Sequence, residues 1–113
     1  MGLVITTHLE GDTAVLELSG RLWILDLPLR DQIQTLLGEG SRYFILNIEK
    51  VDYIDSSGLG QMVSLWTSVR TKDGNLVLMK PNERIRRLLT VTRLNVVFDI
   101  FQDEQRALSA IRR

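Results

Sequence analysis

The sequence predicts an α/β fold: a single domain in which an N-terminal β-hairpin leads into a mainly parallel central sheet with about four helices. Three observations predict it. The chain opens with two short apolar segments separated by turn residues. After them, strand-like and helix-like patterns alternate to the end of the chain. Short loops rich in Gly, Asn and Asp separate the segments, as strand–helix junctions require. Alternation of this kind implies right-handed crossovers and a largely parallel sheet.

Each element has its own warrant. Leu3 to His8 is β-branched and apolar, and Ala14 to Leu18 places Ala14, Leu16 and Leu18 on one face. The period of two marks strands, and Glu10-Gly11-Asp12 supplies the turn of a hairpin. A first helix is capped by Asp26, carries Pro28 in its first turn and shows an apolar stripe of Leu29, Ile33, Leu36 and Leu37. Gly38 and Gly40 end it. Tyr43 to Ile48 reads as a buried strand, followed by Lys50 to Ile54. A second helix runs to about Arg70, with Leu59, Met62, Val63, Trp66 and Val69 as its expected buried stripe. Leu76 to Met79 is the next strand. Asn82 caps a third helix with Ile85, Leu88, Leu89 and Thr92 in register. Val96 to Phe101 is expected as the last strand, and Asp103 as the cap of a final helix carrying Ala107, Leu108 and Ile111.

Bulk composition narrows the function classes. The 113 residues fit one domain, residues 1–113, without repeats or linkers. Lys+Arg and Asp+Glu both number 14, so the formal net charge is zero. That balance argues against nucleic-acid binding through bulk positive charge. Arg84, Arg86 and Arg87 cluster beside Glu83 and read as a solvated helix face. With no cysteine, disulfides, thiolate metal sites and cysteine nucleophiles are excluded. His8 is the single histidine and reads as a strand residue, so neither a His-based metal cluster nor a Ser-His-Asp site is expected. No cofactor and no catalytic residue is predicted. No apolar run is long enough to span a bilayer and no leader pattern opens the chain, so a cytoplasmic protein without direct membrane insertion is expected.

The chemistry concentrates in Asp55-Ser56-Ser57-Gly58-Leu59-Gly60, a segment joining a strand to a helix. Such loops, at the carboxyl ends of parallel strands, are where function collects. Four readings compete. The plainest is capping, in which Asp or Ser accepts hydrogen bonds from the first helical turn while the glycines permit close packing. A phosphate-binding loop is weakly supported, because Val63 stands where the dinucleotide pattern needs its third glycine. A nucleophile elbow lacks its first glycine, since Ile54 occupies that position. In the remaining reading a serine at the helix N-terminus is covalently modified. A phosphate there adds roughly −1.5 to −2 of charge at neutral pH, which the helix end tolerates and a docked partner does not.

At this segment the sequence resembles a known family. Asn47-Ile48-Glu49-Lys50-Val51-Asp52-Tyr53-Ile54-Asp55-Ser56-Ser57-Gly58-Leu59-Gly60 is similar to the signature of bacterial anti-sigma-factor antagonists, within the STAS domain superfamily. Gly20-Arg21-Leu22 resembles the Gly-x-Leu ending of that family's second strand. Leu76 to Met79, Leu94 to Phe98 and Asp103 to Leu108 fit its later elements. The resemblance implies a non-catalytic switch that binds an anti-sigma factor which is also a serine kinase, thereby freeing the sigma factor. It implies phosphorylation of the serine directly after the loop aspartate, Ser56, and resetting by a phosphatase. Ser57 is the adjacent alternative and is expected to cap the helix instead. The expected partner-binding residues are Trp23, Asp55, Ser56, Ser57, Gly58 and Gln61. Trp23 departs from the family, which often has an aspartate there, and reads equally as a docking anchor or as a cover for the first helix. Two other roles compete: a constitutive STAS accessory subunit of a transporter or signalling complex, and a small-molecule or nucleotide binder.

Overall fold

The structure is a computed structural model that describes residues 2–22 and 27–112, with the side chain of Leu27 excepted. The Asp26 cap and Trp23 therefore lie outside the described residues. The elements run β1 (Val4–Glu10), β2 (Thr13–Leu22), α1 (Leu27–Gly38), β3 (Tyr43–Ile54), α2 (Ser56–Arg70), β4 (Asn75–Met79), α3 (Glu83–Val91), β5 (Ile100–Phe101) and α4 (Glu104–Ala110). The five strands form one sheet in the order β1-β2-β3-β4-β5. β1 pairs antiparallel with β2, and every later pair is parallel.

The hairpin closes through Gly11 and Asp12, since Glu10 pairs with Thr13. Gly11 has φ +65°, a conformation glycine adopts without steric cost. α1 ends as the glycines predict, with Gly40 at φ +108° and the Ser41 N–H returning to the Leu36 carbonyl at 2.9 Å.

Because neighbouring parallel strands are joined in sequential order, all three crossover helices fall on one face. The main core lies there. Ala14, Leu16 and Leu18 of β2, Phe44, Leu46 and Ile48 of β3, and Leu76 and Leu78 of β4 meet apolar residues of α1, α2 and α3. The alternate residues Val15, Ile45, Val77 and Met79 face the other way and are covered by Ala107 and Ile111 of the C-terminal segment. Two-sided burial explains why Phe44 to Leu46 reads as an unbroken apolar run.

The structure corrects several expectations. β3 is one strand from Tyr43 to Ile54, carried past the expected break by register shifts against β2 near Glu17 and Gly20. The fully buried stripe of α2 uses Leu65, whereas Val63 and Trp66 are half-buried at its edge. Thr92 is the exposed C-cap of α3 rather than a core residue. The expected strand Val96–Phe101 shrinks to Ile100–Phe101. Local turn bonds claim the backbone before it: Val96 donates to Arg93, and Val97 and Phe98 donate to Leu94. Val96 is 81% exposed, while Phe98 turns inward to pack edge-on against Trp66, with ring centroids 6.5 Å apart.

Candidate functional site

The signature loop lies where β3 passes into α2, at the carboxyl end of the parallel sheet. Asp55 is extended (φ −96°, ψ −179°) and is the N-cap of α2. Its Oδ1 accepts the Gly58 N–H at 2.7 Å and the Ser57 hydroxyl at 2.7 Å. Both bonds favour the charged form, the Ser57 hydroxyl most and then the Gly58 amide, so the carboxyl is held below its ordinary value. Capping thus belongs to Asp55. Ser57, expected to cap, instead donates to the capping carboxylate and is half-buried. Asp55 wins because it is one residue outside the helix, in the extended geometry that lets a side-chain oxygen reach the third N–H of the helix.

Ser56 is the first residue of α2 and is exposed. Its hydroxyl forms no hydrogen bond with the described residues. The two adjacent serines therefore differ sharply, one engaged with Asp55 and the other presented to solvent at the positive end of a 15-residue helix.

Gly58 is buried for a spatial reason. A Cβ there would lie 2.2 Å from the Leu22 carbonyl oxygen at the end of β2. The absent side chain lets the first turn of α2 press against β2, where the Asp55 N–H also meets the Leu22 carbonyl at 3.4 Å. Gly60, expected to serve packing in the same way, is exposed, and a Cβ on it meets nothing within 4 Å. It leaves a bare patch one turn into the helix.

Gln61 is half-buried on the same helix. With Ser57, Gly60 and Ser64 it lines a depression whose other wall is Arg30 and Gln34 of α1. The sequence reading missed Arg30 and Gln34. They lie more than twenty residues away, and only the packing of α1 beside α2 brings them to the loop. Of the expected partner-binding set, Asp55, Ser56, Ser57, Gly58 and Gln61 lie on this one loop and helix turn.

Elsewhere, His8 is an exposed residue of β1, with Nε2 3.4 Å from a Glu104 carboxylate oxygen. Glu10 joins them, so two exposed residues and the half-buried Glu104 have ligand atoms within 4.8 Å of one another. That grouping was invisible in sequence because α4 supplies Glu104. No helix among the described residues is long and apolar enough to cross a membrane.

Fold and site together define a class: a small mixed α/β domain presenting a serine where a helix begins, directly after its capping aspartate. The STAS domain family model matches residues 5–107. The anti-sigma-B factor antagonist of Staphylococcus epidermidis is 32% identical over 95 residues, covering 83% of this chain and 88% of its own. The crystal structure of the Thermotoga maritima protein TM1081 superposes with a TM-score of 0.85 at 26% identity, covering 96% of this chain and 95% of that one. The phosphorylated form of the Bacillus cell fate determinant SpoIIAA shares the fold, with a TM-score of 0.74 at 22% identity over 96% of this chain and all of its own. The chain belongs to the STAS domain family and, within it, to the anti-sigma factor antagonists.

Proposed function

We propose that this protein is a phosphorylatable switch. In its unmodified form it binds an anti-sigma factor that is also a serine kinase, through the Asp55–Gly58 loop and Gln61, and so releases the sigma factor. The kinase transfers the γ-phosphoryl group of ATP to Ser56. The Ser56 Oγ–P bond forms as the bond to ADP breaks, and the hydroxyl proton passes to a base of the kinase. A phosphatase reverses the step. The observation that carries this reading is the exposed, uncommitted Ser56 hydroxyl next to a Ser57 already bonded to Asp55.

The physics favours a switch in binding rather than in folding. A phosphate at the start of α2 sits at the positive end of the helix, so the domain tolerates it. Asp55, held ionised, repels it, and a partner surface fitted to a neutral hydroxyl is left with an unmatched dianion. Incubation with the cognate kinase and ATP is expected to add one phosphate, abolished by Ser56→Ala. Ser56→Asp is expected to weaken partner binding by about tenfold or more, equivalent to roughly 1.4 kcal/mol. A phosphate mapped to Ser57 by mass spectrometry would refute the site. A Ser56→Asp variant that binds like the parent would point instead to constitutive docking.

A further inference from the structure

A second surface begins where the signature segment ends its strand. Tyr53 and Ile54 of β3 and Ile85, Leu88 and Val91 of α3 enclose an open apolar groove of about 350 Å³. Ile54 and Ile85 are buried and form its floor. Its walls are Tyr53, 41% exposed, and Val91, 75% exposed, two of the few large apolar side chains left in solvent among the described residues. Arg84 and Arg87 stand at its rim and pair with no carboxylate among the described residues. The Arg21 guanidinium lies 5.9 Å from the Tyr53 ring centroid. The arginine cluster that reads in sequence as a solvated helix face thus borders exposed apolar surface.

We propose that this groove receives an acidic amphipathic helix of the same anti-sigma factor that docks at the Ser56 loop. The inference rests on the proposed partner. Charge complementarity names the occupant: the Arg84 and Arg87 guanidiniums at the rim of an apolar trough fit a helix that carries Leu- or Ile-like anchors on one face and Asp or Glu beside them. Continuity supports it, because Ile54 in the groove floor is two residues from Ser56, so a partner covering the helix start extends onto α3. Composition agrees as well, since Tyr and Arg are residue types enriched at protein interfaces. The groove supplies affinity that phosphorylation does not touch, while the Ser56 loop supplies the switch.

The test measures binding of the full chain to purified cognate anti-sigma factor. Arg84→Glu/Arg87→Glu and Val91→Asp are each expected to weaken affinity about tenfold or more, and the double arginine variant to lose most of the salt dependence. Val96→Asp and Arg106→Glu, which lie outside the groove, serve as controls and are expected to bind like the parent. A photo-crosslinker at position 91 is expected to attach to an acidic helical segment of the partner. Groove variants that stay folded and bind within about twofold of the parent would overturn the proposal. So would a crosslink into a second copy of this chain or into a basic segment of the partner. Because affinity is the readout, an absence of phosphate on Ser56 refutes the switch and leaves the groove comparison decisive.

Discussion

Asp55 holds the loop together through two short hydrogen bonds, and both depend on its charge. Its folded pKa lies below the unfolded value near 3.8. Its contribution to stability is therefore fully present above that unfolded value and is lost as pH falls through the lower folded one. Asp55→Ala is expected to lower the melting temperature by a similar amount from pH 5 to 8. The gap to the parent should narrow below about pH 3.8; a gap that persists in acid would show that the cap does not rest on the carboxylate. The two loop glycines separate packing from presentation. Gly58→Ala forces a methyl against the Leu22 carbonyl and should cost about 1–3 kcal/mol in denaturant unfolding. Gly60→Ala meets nothing and should stabilise α2 by up to about 1 kcal/mol. If that stabilised variant loses partner affinity, the bare patch at Gly60 is itself a contact.

Helix ends, more than helix interiors, position the functional edge. Asn82 accepts the Ile85 N–H at 2.8 Å, and its amide nitrogen donates to the Val51 carbonyl of β3 at 3.0 Å. One side chain thus caps α3 and anchors its start to the strand that delivers Ser56. Asn82→Ala removes both bonds and should cost about 1–2 kcal/mol, measured by urea unfolding. The Tyr53–Val91 groove should change with it, since α3 forms one wall. Asp103 caps α4 in the same manner, accepting the Arg106 N–H at 2.8 Å. Both caps were legible in sequence, because an Asn or Asp before an apolar helical stripe has few other uses. The last strand was not legible. Val96, Val97 and Phe98 carry β-type side chains, yet turn hydrogen bonds and the burial of Phe98 against Trp66 decide their backbone.

Across the whole molecule the two faces of the sheet are unequal. Three helices cover one, and the short α4 covers part of the other. Ile111, just past α4 and 1% exposed, packs with Val15, Ile45 and Val77, while Arg112 reaches Asp12 in the hairpin turn and lies over the Tyr43 ring. The C-terminal segment is thereby tied to the hairpin turn, at the pole opposite Ser56. Ile111→Ala should cost about 2–4 kcal/mol and speed hydrogen exchange in α4 and the small core, with little effect on the Ser56 loop. Loss of partner binding in a folded Ile111→Ala protein would argue that the two poles are coupled.

The element order, the hairpin, the parallel sheet and the loop that carries the chemistry are all legible in the residue pattern. These are local matters: side-chain period, turn residues and a cap each act within a few positions of themselves. The packing of the folded chain settles which of two adjacent serines is committed to Asp55, which glycine is needed for space, and that Arg30 and Gln34 stand beside the loop. It also turned an arginine run into the rim of an apolar groove. Such facts depend on close approach between residues distant in the chain, and no periodicity encodes that distance.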